Sequence, residues 1–121
     1  MNLDQDGNNV VTIAASYNGT ISYRDANGLT IGTVTDTAMG TTTTSGITTS
    51  DDDVKLTVLL GGLAINQAVS LGAGDLTLDV RGNSPVTQSA TGLITASGLQ
   101  LLGSGINPSS VLVLVSITST A

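Results

Sequence analysis

The phrase DVKLTV at 53–58 returns as DLTLDV at 75–80, 22 residues further along the chain. Both copies alternate apolar and polar residues, the period-two pattern of a strand with one buried face. A strand phrase that returns every ~20–22 residues is the signature expected of a β-solenoid, in which each coil lays its strands on those of the coil below. A sandwich or barrel also yields short strands about every ten residues, but does not require one phrase to return at a fixed interval. NVVTIAAS (9–16) begins roughly two such periods before DVKLTV, and is read as a further copy.

The same alternation runs through the rest of the chain. Val11/Ile13, Ile21/Tyr23, Leu29/Ile31, Val54/Leu56/Val58, Leu63/Ile65, Leu76/Leu78/Val80, Leu99/Leu101 and Val111/Val113/Val115 are each expected to be the inward face of a short strand. In TGLITASGLQLLGSG (91–105), Leu93, Leu99 and Leu101 are read as pointing one way. NG (18–19), DANG (25–28), GAGD (72–75) and RGN (81–83) supply the turns. The stretch 37–53 has few apolar anchors and is expected to be an irregular loop with a short strand near Ile47. NNVVTIAAS (8–16) and SSVLVLVSI (109–117) align at an offset of 101 residues, with Val10 on Val111. Residues 109–121 therefore read as the start of a next module or as an end strand. The whole of 1–121 reads as a single module of about five or six coils.

Composition agrees with an all-β chain. There is no Glu; the nine acidic residues are all Asp, a turn residue, against Arg24, Lys55 and Arg81. Thr and Gly abound, and Phe and Trp are absent. A narrow interior built of stacked Val, Leu, Ile and Ala has little room for large rings, and outward rows of Thr and Ser suit a pleated surface.

Several functions are disfavoured on the same grounds. A net charge of −6 leaves nothing to neutralise a nucleic-acid backbone, and offers no basic face to a membrane. No apolar run approaches the ~18 residues of a spanning helix, so no membrane insertion is expected. The opening MNLDQDGNN lacks the basic and apolar regions of a signal peptide. With no Cys and no His, thiolate nucleophiles, the usual general base and the commonest metal ligands are all missing. The chain is expected not to be an enzyme and to need no cofactor.

The remaining motifs have plain structural readings. DQDGNN (4–9) starts like a calcium loop, but position 15, where a bidentate carboxylate belongs, is Ala. It is read as a turn opening the first strand. SDDDVKL (50–56) crowds Asp51, Asp52 and Asp53, which become the calcium candidates, although a solvated turn explains them as well. Asp75 and Asp79 share a strand face but stand roughly 13 Å apart by strand rise, too far for glycoside chemistry. Arg81 is expected to pair locally or cover a strand edge. LLGGLA (59–64) lacks the Lys of a phosphate loop, TTTT (41–44) falls within one loop rather than forming a stacked ice-binding array, and Tyr17 and Tyr23 are too few for a sugar-stacking groove.

The ordered set NNVVTIAASYNGTISYRDANGLTIGTV (8–34), SGITTSDDDVKLTV (45–58), GAGDLTLDV (72–80) and VTQSATGLITASGLQLLG (86–103) resembles the repeat regions of large filamentous-haemagglutinin-like exoproteins of bacteria. That resemblance implies a right-handed parallel β-helix within a fibrous, secreted or cell-surface adhesin, active in adhesion, aggregation or biofilm. It departs from the family in lacking an amino-terminal secretion domain and in its degraded phrase at 109–117. The function expected is a non-catalytic stalk segment; the alternative is a self-assembling subunit that forms extracellular filaments end to end. Partners would be neighbouring modules or identical copies through the terminal coils, and possible host or matrix surfaces.

Overall fold

The alternating segments become short strands that pair in parallel. The computed structural model describes residues 1–38, 40–103 and the strand at 117–118. The chain passes through β1 (Asn2–Leu3), β2 (Thr12–Ile13), β3 (Ala15–Ser16), β4 (Ile21–Asp25) and β5 (Leu29–Ile31). A hairpin follows, β6 (Thr33–Asp36) and β7 (Thr42–Ser45), then β8 (Ile47–Thr48), β9 (Val54–Val58), β10 (Leu63–Ile65) and β11 (Val69–Ser70). The last strands are β12 (Leu76–Val80), β13 (Val86–Gln88), β14 (Ile94–Thr95), β15 (Leu99–Leu102) and β16 (Ile117–Thr118). No helix occurs among the described residues.

Three parallel sheets collect these strands: sheet A in the order β1-β4-β9-β12-β15, sheet B in the order β2-β5-β10-β13, and sheet C in the order β3-β8-β11-β14-β16. From β1 to β15 the chain visits A, B and C in that cyclic order, leaving it only for the antiparallel β6–β7 hairpin. Successive strands of a sheet lie one circuit apart. Leu76 stands opposite Val54 at 22 residues, Val86 opposite Leu63 at 23 and Ile94 opposite Val69 at 25. Between Ile21 and Val54 the interval stretches to 33, because the hairpin is inserted there between sheets B and C. The Gly46 N–H donates to the Gly32 carbonyl at 2.8 Å and closes the hairpin's base.

Parallel register stacks like on like. Ile21, Val54, Leu76 and Leu99 form one row on sheet A, and Tyr23, Leu56, Leu78 and Leu101 form another. Ile31 and Ile65 stack on sheet B, and Ile47, Val69 and Ile94 on sheet C. All of these are buried in one core except the terminal Leu99 and Leu101, which are half-buried against it. Adjacent circuits approach closely at their corners: a Cβ on Gly92 would lie 2.0 Å from the Ile65 carbonyl oxygen. Asp51 (φ 65°) and Asn83 (φ 55°) take left-handed turn conformations that short polar side chains tolerate.

Several expectations need correction. NVVTIAAS is not a further copy of DVKLTV in the same sheet: it forms β2 and β3 on sheets B and C, and the strand that precedes DVKLTV in sheet A is ISYRD. Val11 is 79% exposed, because it precedes β2 at the end of the stack where no neighbouring layer covers it. Leu93 faces outward at 43% exposure, and Ile94 takes the inward position, since the two-residue strand β14 is in register with Val69 through Ile94. The stretch 37–53 holds β7 as well as the strand at Ile47, because hydroxyl side chains pair across the hairpin in place of apolar anchors. In sheet C, Ile117 falls in the row of Ala15, an offset of 102 residues rather than the 101 of the sequence alignment. Residues 109–116, with Val111, Val113 and Val115, lie outside the described residues.

Leu78 is 1% exposed, whereas its neighbour Thr77 looks outward and is half-buried. Leu78→Asp buries an unpaired carboxylate and is expected to cost more than about 2 kcal/mol. Thr77→Asp should cost less than about 1 kcal/mol. Denaturant titration of the two variants side by side checks this register.

Candidate functional site

The chemistry-bearing residues gather at the amino-terminal end of the stack and on the outer face of sheet A. At the amino-terminal end, β1, β2 and β3 are the edge strands of their sheets. Strand β4 turns Ile21, Tyr23 and Asp25 inward, and Asp25 therefore occupies the row that Val58 and Val80 continue in the next two layers. Its carboxylate is fully buried but well supplied with donors. Oδ2 accepts the Tyr23 hydroxyl at 2.7 Å and the Val10 N–H at 2.9 Å, and Oδ1 accepts the Asn27 N–H at 2.9 Å. A buried carboxylate without such partners would be strongly destabilising. Asn8 reinforces the join, its Nδ2 donating to the carbonyls of Leu3 (2.6 Å) and Arg24 (3.1 Å). Together these bonds fasten the segment before β2 to the layer above it. An apolar cleft beside them is lined by Leu3, Val10, Ile13, Ala15, Tyr23 and Val34.

All three basic residues of the chain cluster about the outer face of sheet A. Arg24 and Lys55 stand on β4 and β9, and Arg81 follows β12 directly. Arg24 pairs with Asp6, and the Ser22 hydroxyl donates to Asp4 at 2.6 Å. The acidic pair of DQDGNN thus braces the turn between β1 and β2. Arg81 grips Asp79 with Nε and Nη2, the shortest contact being 2.8 Å. Hydrogen bonds from Arg81 hold the Asp79 carboxyl below its usual range, against the effect of burial and with help from the charges of Arg81, Lys55 and Arg24. Asp75, the other half of the acid pair weighed for glycoside chemistry, is exposed at the opposite end of β12.

The calcium candidates occupy the corner between sheets C and A. Asp51 Oδ1 accepts the Ala73 N–H at 2.8 Å, and Asp53 Oδ1 accepts the Asp75 N–H at 2.8 Å, each one circuit further along. The Asp52 backbone is held by the Thr49 hydroxyl, which donates to its carbonyl at 2.7 Å. Two of the three carboxylates therefore cap the next layer. Among the described residues no group of three acidic ligands is arranged to hold a metal ion.

Sheets B and C present hydroxyls outward. Thr12, Thr30 and Thr87 share a row on B, interrupted by Ala64, and Ser16, Thr48, Ser70 and Thr95 share one on C. The hairpin adds the hydroxyl pairs Thr33–Ser45 at 2.8 Å and Thr35–Thr43 at 3.1 Å. No helix among the described residues is long and apolar enough to cross a membrane.

Compared with protein families, curated proteins and solved structures, the chain matches none. Sequence reasoning paired Tyr23 with the core but missed Asp25. The signal lay in the alignment of ISYRD with VKLTV and LTLDV, where Asp stands in a column of Val.

Two titrations should report on these contacts. Burial, then the hydrogen bond to Asp25 and that carboxylate's charge, raise Tyr23 above its usual 10.0. Stability linked to Tyr23 is complete below that value and is lost as pH rises toward the higher folded value, because the unfolded chain ionises first. Denaturation midpoints measured through the alkaline range should fall for the wild type and flatten in Tyr23→Phe. Asp79 has the opposite sign: its contribution is present above 3.8 and is lost as pH falls through the lower folded value. Asp79→Asn should therefore lower the melting temperature at neutral pH, with the gap to wild type closing in strong acid.

Proposed function

We propose that the chain is a right-handed parallel β-helix of about five or six coils, serving as a non-catalytic stalk segment of a secreted or cell-surface bacterial exoprotein of the filamentous-haemagglutinin-like kind. The observation that carries this reading is the cyclic passage through three parallel sheets with interior rows in register. Such an arrangement extends a chain along one axis while each layer contacts only its neighbours. The chemistry agrees. Asp25, Asp51, Asp53 and Asp79 are engaged in bonds that join strands, turns and layers, and there is no His or Cys to activate a nucleophile. Sheets B and C carry outward rows of hydroxyls, suited to lateral presentation along a fibre.

Removing one circuit tests the architecture. Deleting residues 54–75 joins Asp53 to Leu76 at equivalent positions and brings β4 against β12, β5 against β13 and β8 against β14. The shortened chain should fold cooperatively with a β-type circular dichroism spectrum and a shorter scattering profile. Deleting 54–64 breaks the cycle and should abolish cooperative unfolding. Equal behaviour of the two deletions would overturn the coil reading. Antibodies against the folded chain should label intact producing cells; labelling only after permeabilisation would overturn the surface assignment.

A further inference from the structure

We propose that the DANG corner at 25–28 is a site of spontaneous covalent modification, at which Asn27 deamidates by attack of the Gly28 nitrogen and loosens the hold of Asp25 on the segment before β2. The corner joins β4 to β5 and lies between layers, bonded to Asn8 on one side and packed against Gly61 on the other. Asn27 and Gly28 are both exposed. The Asn27 side-chain amide makes no hydrogen bond among the described residues. Its backbone neighbours are engaged. Ala26 donates its N–H to the Asn8 carbonyl at 2.8 Å, Asn27 to Asp25 Oδ1 at 2.9 Å and Leu29 to the Gly62 carbonyl at 3.0 Å. The Gly28 N–H alone in this turn finds no acceptor among the described residues.

Two glycines leave that nitrogen within reach. Gly28 carries no side chain of its own to shield it, and a Cβ on Gly61 would stand 2.7 Å from it. Asparagine is a labile residue for this reason of chemistry. The Gly28 nitrogen attacks Asn27 Cγ, its proton and the side-chain amide nitrogen depart as ammonia, and a five-membered succinimide closes. Water then adds to one of the two ring carbonyls and opens it to aspartate or isoaspartate at position 27. Nothing is oxidised or reduced, and closing the ring breaks no backbone hydrogen bond. The other two pairs of this type are placed differently. Asp6–Gly7 has its carboxylate held by Arg24, and Asn18–Gly19 lies under the Tyr17 ring, 2.8 Å from where a Gly19 Cβ would be.

The product matters because of what stands two residues away. Asp25 is fully buried, and its carboxylate is balanced by the Tyr23 hydroxyl and the N–H groups of Val10 and Asn27. A second carboxylate at position 27 sets like charges side by side where one is already costly to bury. In the isoaspartate product the main chain runs through the former side chain and is one atom longer. That moves the position-27 N–H away from Asp25 Oδ1 and shifts Gly28 beneath Gly61. Both effects weaken the carboxylate that fastens Val10, so the modification slowly releases the segment before β2 from the layer above it. The chemistry concerns one corner and does not depend on the stalk reading.

Ageing the full chain at mildly alkaline pH, below its melting temperature, tests the proposal. Peptide mapping by mass spectrometry should find aspartate and isoaspartate at position 27, with ammonia released and an acidic shift of one charge on isoelectric focusing. The folded chain should convert within about tenfold of its rate in urea, since a barrier raised further than that marks a corner held out of reach. A folded chain that keeps Asn27 intact beyond this margin overturns the proposal. Asn27→Gln, with a side chain one methylene too long for the five-membered ring, should lose the product at this site. Asn27→Asp should speed hydrogen exchange at the Val10 amide. Asn18→Asp adds the same charge at the other end of β4 and should leave that amide protected. Equal exchange at Val10 in the two variants would refute the coupling to Asp25.

Discussion

Parallel backbone pairing between successive layers is the constraint on which the rest of the structure depends. Parallel strands cannot be joined by tight hairpins and need a longer connection between them. Here that connection is a pass through the two other sheets, so strand, turn and strand recur in a fixed order. Inward side chains then stand about 4.8 Å from the layer above or below, mostly apolar on apolar, with Asp25 beside Val58 and Gln88 beside Ile65 as exceptions. Such rows favour residues that stack without leaving gaps, and β9 and β12 meet that demand at alternate positions, with Val54 on Leu76, Leu56 on Leu78 and Val58 on Val80. The corners obey a related rule. Where layers approach to contact distance, as at Gly92 over Ile65, the residue has no room for a side chain.

How much of this was legible in the sequence depends on the length of the strand. The five-residue strands β9 and β12 carry enough alternation to reveal both their face and their 22-residue spacing. The two-residue strands of sheet C do not: LIT at 93–95 permits either Leu93 or Ile94 to point inward, and only pairing with Val69 selects Ile94. Val11 alternates correctly with Ile13 but stands where the stack ends, and alternation says nothing about whether a covering layer exists. The hairpin was hidden for another reason. Its strands are held by backbone pairing and hydroxyl contacts, so they lack the apolar signal that marks the others. Asp25 was hidden by its charge: a lone Asp in a YRD phrase reads as a turn residue until the register places it in a Val row.

The sparse charge of the chain is arranged with similar economy. Arg81 and Asp79 neutralise one another on sheet A, Arg24 is matched by Asp6, and Asp51 and Asp53 cap backbone donors one circuit on. Exposed pairs such as Arg24 with Asp6 contribute little stability individually. Asp51 and Asp53 act on register instead, each accepting a backbone N–H from the following layer at the corner. The buried Asp25 does the same work from inside, binding donors from three different positions along the chain.

The β6–β7 hairpin has a consequence beyond its own contacts. It enters between sheets B and C, is closed at its base by one backbone bond from Gly46 to Gly32, and leaves the pairing of β5 with β10 and of β8 with β11 in place. An excursion of this kind changes contour length without changing the frame it departs from, and the entropic cost of a longer loop rises only slowly with its length. The corner between those sheets is thus a natural grafting point: foreign peptide exchanged there for the hairpin tip changes the outline of the molecule at one corner while the parallel ladders stay constant.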